Sequence, residues 1–355
     1  MNDRPLVTVA LPCYQAERHV TAALESLTAQ TYPDLEIVAV DDGSTDRTAE
    51  ILGHFANRDR RIRILCNAPN AGLIATLNRC VGEARGELIA RMDADDLCVP
   101  ERIERQVAFL RSRPDVGVVG SGSDLVASEE TRRLRPRPVR CREPGGARFM
   151  ALFATPVTHA TIMGRAAVLR AHPYGVDPDS LHTEDYELFA RMISADVGFA
   201  NIDEPLVTVR VDPDGVSLRH EQLQVENFVR CTRRHIEATF GRSADAGAHR
   251  VLVNRMNGDT TARSLARGLT FLEWLETASV ERDPGAAAEI GAIADMQRVD
   301  ILVQAALKGS PALRAAAIAL ATRYARQLGS PAARRYLAGK LPLRGVVSQR
   351  RLVGG

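Results

Sequence analysis

Apolar and polar positions follow two alternating rhythms over the first third of the chain. Short runs at residues 6–11, 35–40, 61–66, 87–92 and 116–120, the first two apolar throughout or nearly so, predict β-strands. The segments between them have helical spacing. Val20, Leu24 and Leu27 share one face of residues 17–30, Ile103, Val107 and Leu110 share a face of residues 103–110, and residues 46–57 and 73–84 also read as helices. Repeated β-α-β units predict an α/β fold with a mostly parallel sheet and helices on both of its faces. Ligands bind such sheets beyond the carboxyl ends of the strands. Residues 132–146, rich in Arg and Pro with a Gly-Gly step, predict a loop. A helix follows at 183–194, then extended pieces at 197–202 and 206–211. From about residue 219 the pattern is helical to the end. Leu265, Leu269 and Leu272 form one stripe there, and Leu313, Ala317, Leu320 and Tyr324 another. The chain therefore divides into an α/β domain at 1–218 and a helical region at 219–355.

Composition narrows the class. With 45% hydrophobic and 25% charged residues the chain is an ordinary globular protein, which excludes disordered, collagen-like and coiled-coil chains. The longest clean apolar stretch, 315–321 between Arg314 and Arg323, is far below the ~18 residues of a membrane span. The first residues enter a strand pattern with no basic-then-apolar leader, so no secretory signal is expected. Cysteines 13, 66, 80, 98, 141 and 231 form no CxxC pair and predict reduced thiols in a cytoplasmic protein. The net charge of +2 is uneven. Residues 301–355 hold ten Lys or Arg and no acid, leaving the first 300 residues at −8. A basic tail on an acidic body predicts contact with an anionic surface.

The candidate chemistry sits where the apolar runs end. After the fourth run come Asp93, Asp95 and Asp96. Carboxylates this close repel one another unless a cation lies between them, and Mg²⁺ or Mn²⁺ suits an all-oxygen cluster. Taken alone the cluster fits capping of a helix entered near Pro100 better than it fits a cation. After the second run come Asp41 and Asp42, then Gly43, Ser44, Thr45 and Asp46. An Asp here can accept a hydrogen bond from a base N–H, while Ser44, Thr45 or Asp46 suits a helix cap. Tyr14, after the first run, can stack on a base or ribose or simply pack. Asn70 can cap the third helix, and Gly72 allows close backbone approach. Glu184 and Asp185 open a helix; they fit its dipole, or one of them is a general base. His159 suits phosphate, acceptor or a structural bond. The chain has no G-x-S-x-G elbow, no Walker loop and no GxGxxG, which argues against nucleophile chemistry and a nicotinamide dehydrogenase.

In this order the pieces resemble the family two glycosyltransferases of GT-A fold over residues 6–216. The matching blocks are 9–14, 40–46, 70–78, 91–96 with its DxD, and Glu184–Asp185 followed by Leu188 and Arg191. The resemblance implies a GT-A catalytic domain at 1–218, a Rossmann-like mostly parallel sheet, followed by an α-helical C-terminal region. It implies an inverting transfer from a nucleotide-sugar, most often a UDP-sugar, to an acceptor hydroxyl. Pro12, Tyr14 and Asn70 then belong to the donor-nucleotide site and Asp42 is the uracil-binding Asp. Asp93 is the first DxD Asp, near ribose or sugar, and Asp95 binds the metal, Mg²⁺ or Mn²⁺. Asp185 is the catalytic base, with Glu184 beside it. Two departures stand out. Leu77 occupies a position where many relatives have Arg, and Arg210 is followed by Val211, Asp212 and Pro213 where many have His soon after. Arg91 and Arg219–His220 are the cations available in their place.

In the C-terminal region Leu313, Ala317, Leu320, Tyr324 and Leu328 share one face, with Arg314, Arg323 and Arg326 off it. Such a helix lies on an anionic bilayer or packs on the protein. The acid-free 55-residue tail favours the membrane, hence a lipid-linked or cell-envelope glycan acceptor at the inner face of the plasma membrane. A nucleotidyltransferase also uses paired Asp and Mg²⁺, but residues 12–18 lack its Gly-rich basic loop. A non-catalytic nucleotide-sugar binder has less need of Glu184–Asp185. An acidic body without aromatic interleaving in the tail argues against nucleic acid.

Overall fold

The computed structural model describes residues 4–126, 136–137, 139–175, 181–210 and 220–334. Two compact units, Met1–Ser243 and Ala244–Gly355, make up the chain.

The first unit opens with three strand–helix pairs. These are β1 (Val7–Cys13), α1 (Val20–Thr28), β2 (Leu35–Asp41), α2 (Thr48–Arg58), β3 (Ile62–Cys66) and α3 (Leu73–Glu83). β4 (Leu88–Arg91), the two-residue β5 (Leu97–Cys98) and α4 (Arg102–Ser112) follow. β1 and β2 are buried along their whole length, as strands with helices on both faces must be. Val20, Leu24 and Leu27 of α1 are fully buried in the same core as Val9, Leu11 and Ile37. The order β3-β2-β1-β4 is parallel, as the alternating pattern predicts.

Beyond β4 the sheet is mixed. β6 (Val118–Val126) and β7 (Pro136–Arg137) come next, then α5 (Pro144–Ala151), β8 (Met163–Arg165), α6 (Ala166–Ala171), α7 (Glu184–Ser194) and β9 (Phe199–Arg210). β8 joins antiparallel to both β4 and β6, whereas β6 and β9 run parallel. The two extended pieces expected at 197–202 and 206–211 are one twelve-residue strand. Its exposed Asp203-Glu204-Pro205 step interrupts the apolar run, and the register slips against β6 at Gly122 to accommodate it. The loop expected at 132–146 falls partly outside the described residues; of the rest, 139–143 is irregular and β7 and the start of α5 flank it.

Helix α8 (Glu221–Phe240) belongs to the first unit, so the units part downstream of the 218/219 division read from the sequence. The physical reason is its packing on α7. The Phe228 ring meets Tyr186 edge-on at 4.8 Å, and Cys231 joins Tyr186 and Ala190 in a small apolar cluster.

The second unit is helical: α9 (Ala246–Leu252), α10 (Ala262–Arg282), α11 (Ala287–Lys308), α12 (Pro311–Arg323) and α13 (Ala325–Leu328). Leu265, Leu269 and Leu272 are fully buried. Leu313, Ala317 and Tyr324 are buried too, with α12 packed on α10 and α11. That apolar face is therefore engaged within the helical unit, while Arg314 and Arg326 stay exposed. Residues 335–355, half of the basic tail's cations, lie outside the described residues. Among the described residues no helix is long and apolar enough to cross a membrane.

Candidate active site

The carboxyl ends of β1, β2 and β4 converge on one edge of the sheet, and each exit loop is pinned by its own side chains. Gln15, with a left-handed φ of 49°, accepts from Thr45 N (3.1 Å) and Asp46 N (3.2 Å) and donates to Thr45 Oγ1 (2.9 Å). Asp46 accepts from Glu17 N and Thr48 N, each at 3.0 Å, and so pins the turn ahead of α2; it is not the cap expected there, since Arg47 holds the cap position with no side-chain cap bond. The lashed loops leave Tyr14 55% exposed at the rim, above buried Pro12.

Asp41 and Asp42 do different work. Asp41 accepts from the Ser44 hydroxyl at 2.5 Å and closes the turn through Gly43, whose φ of +74° suits glycine. Asp42 is 3% exposed. Its Oδ1 accepts from Asn67 Nδ2 (2.7 Å) and Ala71 N (2.8 Å), and its Oδ2 from Gly72 N (2.9 Å). These bonds hold its carboxyl below the usual range although burial pushes the other way. Asn70 does not cap α3. Gly72 holds the cap position, and the Asn70 amide donates to the Asp42 carbonyl at 2.8 Å.

After β4 the three acidic side chains of 93–96 meet, with ligand oxygens within 4.8 Å of one another. They do not cap α4, which begins at Arg102 behind Glu101 with no side-chain cap bond. Asp93 is paired with Arg91. Asp96 is 1% exposed, accepts from Arg210 N at 2.9 Å through Oδ1, and keeps Oδ2 buried without a partner. Burial first and the Asp93 charge second push Asp95 up to about 6 and Asp96 up to about 8. An orphaned carboxylate oxygen among mutually repelling neighbours fits a hard divalent cation, which supplies the missing partner and the missing charge together.

Facing this cluster is the first turn of α7. Asp185 accepts from Tyr186 N at 2.7 Å, and its carboxyl is pushed up to about 6 by burial and then by Glu184. Glu184 is raised as well, by burial above all and in part by the Asp93 charge, so the two acidic groups sense each other. α7 is anchored from beneath by the Tyr186 hydroxyl, which donates to the Ala151 carbonyl at 2.5 Å. His159 is neither free nor exposed. Its Nε2 bonds the Tyr174 hydroxyl at 2.7 Å, and burial holds its pKa well below the ordinary value. Tyr174 is in turn fixed to α3 by two bonds between its backbone and the Asn78 amide.

The sequence alone assigns no separate role to Asp96 or Tyr174, and to Arg91 only that of a spare cation. For Asp96 and Arg91 a sharper signal existed. Asp96 is the third acid of a run of four positions, and Arg91 and Asp93 are two apart on extended backbone, where i and i+2 share a face. His220, considered as a phosphate cation, instead stacks on His182 at 4.4 Å; Arg219 lies outside the described residues.

The architecture is a half-parallel sheet with an acidic cluster at its carboxyl edge, and comparison says which family builds it. Residues 8–174 match glycosyl transferase family 2. EpsE of Bacillus subtilis, named as a glycosyltransferase, is 36% identical over 231 residues, 64% of this chain and 81% of that one. The amylovoran biosynthesis glycosyltransferase AmsE of Erwinia amylovora is 30% identical over 236 residues, 64% and 85% of the two chains. Among solved structures, S. aureus TarS 1–349, also solved with UDP-GlcNAc, shares the fold at 17% identity with a TM-score of 0.55 over 90% and 92% of the chains. The mannosyltransferase PcManGT of Pyrobaculum calidifontis, in complex with GDP-Man and Mn²⁺, aligns at 22% identity and a TM-score of 0.50 over 95% and 86%. The chain belongs to glycosyl transferase family 2 and is a glycosyltransferase of GT-A-like fold.

Proposed function

We propose that the protein is an inverting glycosyltransferase that moves a sugar from a UDP-sugar to a hydroxyl of a glycan or lipid-linked acceptor in polysaccharide or cell-envelope synthesis. The observation that carries the reading is the pairing of an acidic cluster holding an orphaned carboxylate oxygen with a second, raised carboxyl pair across the site.

Tyr14 offers an exposed ring to the base, above Pro12. Asp42 is the acceptor proposed for a base N–H, with Gly72 N on its Oδ2 and Asn70 holding the loop behind it. Asp95, with Asp96 beside it, would hold Mg²⁺ or Mn²⁺; when bound, the cation offsets the charge that builds on the departing diphosphate. Asp185 accepts the proton of the attacking hydroxyl. Burial keeps its proton affinity close to that useful for a base near neutral pH. One base suffices for a single displacement, which inverts the anomeric centre. Names of relatives support the pathway: AmsE is a biosynthetic glycosyltransferase of the polysaccharide amylovoran.

The test is a donor screen that reads nucleoside diphosphate release with Mn²⁺ or Mg²⁺. Slow metal-dependent hydrolysis of one UDP-sugar is expected. Failure of UDP and of every UDP-sugar to bind with metal present would exclude the reading.

The acceptor assignment adds peripheral contact between the basic tail, 301–355, and the inner face of the plasma membrane. The apolar face of α12 is engaged in packing, so this contact rests on cations, at about 1 kcal/mol for each Lys or Arg near an anionic surface. Flotation on phosphatidylserine-containing liposomes is expected to be lost on removing residues 335–355 and in high salt. Equal flotation of both chains would exclude it.

A further inference from the structure

The ligand oxygens of Asp93, Asp95 and Asp96 lie within 4.8 Å of one another, and like charges that close push apart. The loop that carries them, residues 92–101, must therefore be held from outside the cluster. Its outgoing limb is fastened to the turn after α1. Gln30 donates to the Val99 carbonyl at 2.8 Å and accepts from Ile103 N at 3.1 Å, and Thr31 N donates to the Pro100 carbonyl at 2.9 Å. Its incoming limb leaves β4 with Met92 N on the Ala10 carbonyl at 3.1 Å. The first residue of α4 joins the two limbs.

That residue, Arg102, is fully buried. Its Nη2 donates to the Arg91 carbonyl at 2.7 Å, closing a neck between residues 11 apart in sequence, and to the Ala160 carbonyl at 3.2 Å. Its Nε donates to Gln106 Oε1 at 3.2 Å. Gln106, one turn along and equally buried, donates through Nε2 to the Thr161 carbonyl at 2.7 Å. Helix α4 thus sends two polar side chains into the core, where they meet backbone at the end of β4 and in the turn at His159–Thr161. Carbonyl oxygens, Gln106 and the Cys98 thiol surround the guanidinium; among the described residues no carboxylate pairs with it. A buried cation without an acid is unfavourable, and an apolar side chain would fill the same space. The guanidinium is explained by what it reaches, the neck of the acidic loop.

We propose that Arg102, steadied by Gln106, is a positioning residue for the cation site: its guanidinium clasps the neck of the acidic loop and keeps the three acids at ligand spacing before any cation is bound. The inference rests on the metal-dependent reading above and adds the element that sets the geometry of its acids. Without the clasp, mutual repulsion opens the loop. Part of the free energy of binding a cation then goes into drawing the acids back together, so affinity falls while the loaded site stays the same. A lysine brings the same charge as a point and cannot span the Arg91 carbonyl and Gln106 together.

The experiment compares wild type, Arg102→Lys and Gln106→Met. It reads amide hydrogen exchange over residues 92–98 in EDTA, Mn²⁺ affinity of the free protein by calorimetry, and UDP-sugar hydrolysis against Mn²⁺ concentration. Melting curves set a temperature at which each chain is folded. In Arg102→Lys the loop amides are expected to exchange about tenfold faster and Mn²⁺ to bind about tenfold more weakly, with hydrolysis at saturating Mn²⁺ within about twofold of wild type. Gln106→Met is expected to shift exchange and affinity the same way by about threefold, and it decides the matter if the buried lysine unfolds the chain. A lowered melting temperature with wild-type loop exchange and Mn²⁺ affinity would overturn the proposal, because the two side chains would then only stabilise the core. Hydrolysis lost even at saturating Mn²⁺ would overturn it too, since the clasp would then be shaping the loaded site. Wild-type protein that binds no Mn²⁺ would remove the cation reading itself, and this inference with it.

Discussion

Replacing Asp185 by Asn is expected to lower sugar transfer by about a hundred- to ten-thousand-fold, the usual worth of a positioned base. UDP binding is expected to stay within about threefold, since in the proposed mechanism the base meets only the acceptor hydroxyl. The pH dependence carries the physical signature. In the folded protein the Asp185 carboxyl is pushed up to about 6 by burial and by Glu184; in an unfolded chain it titrates at about 3.9. Wild-type turnover is therefore expected to fall as pH drops through about 6, as the base takes up its proton. Stability moves the other way. The folded state binds this proton more tightly than the unfolded state, so the group favours folding at low pH and that contribution is lost as pH rises through about 6. A carboxamide at this position cannot ionise. The Asp185→Asn variant is expected to melt a few degrees above wild type at pH 8, with the gap closing near pH 4. A gap independent of pH would remove burial of the ionised carboxylate as its cause.

Asp95→Ala carries the second large effect. In the wild type, Mn²⁺ added to the free protein is expected to raise the melting temperature, because it binds the folded carboxylate cluster and not the unfolded chain. In Asp95→Ala that rise is expected to vanish. Metal-dependent UDP binding and donor hydrolysis are expected to fall by on the order of 10³. Without metal the variant is expected to melt higher than wild type, since one of three mutually repelling carboxylates is gone. Calorimetry of Mn²⁺ and UDP binding, with melting curves in EDTA, checks all three. An unchanged Mn²⁺ shift in Asp95→Ala would place the cation elsewhere.

The first half of the fold was legible because it obeys local rules. β1 and β2 are buried throughout, and α1 presents Val20, Leu24 and Leu27 at helical spacing. Beyond α4 local rules fail. β8 is three residues long and β7 two, too short for any periodicity, and they are strands only because β6 is there to pair with. β9 hides its unity behind exposed Asp203, Glu204 and Pro205. In the site, the acidic residues were readable as types at strand ends, where this architecture puts ligands. Their partners were not: the Arg210 backbone meets Asp96, and Tyr174 meets His159, through contacts that only the assembled sheet creates.

The bond from Arg210 N to Asp96 has a consequence for how the protein is born. It joins residues 114 apart in sequence, and the β5–β9 pairing beside it spans a similar distance. A nascent chain leaving the ribosome can assemble β1 to β4 early, from neighbouring segments. The acidic loop gains its backstop only after residue 210 has emerged. Until then a cluster of three acidic side chains hangs from a half-built sheet, and long-range closures of this kind are slow. Truncation to the first strand–helix repeats is therefore expected to leave the acidic loop without its backstop. The acidic cluster is complete only once the strand that closes the sheet is in place.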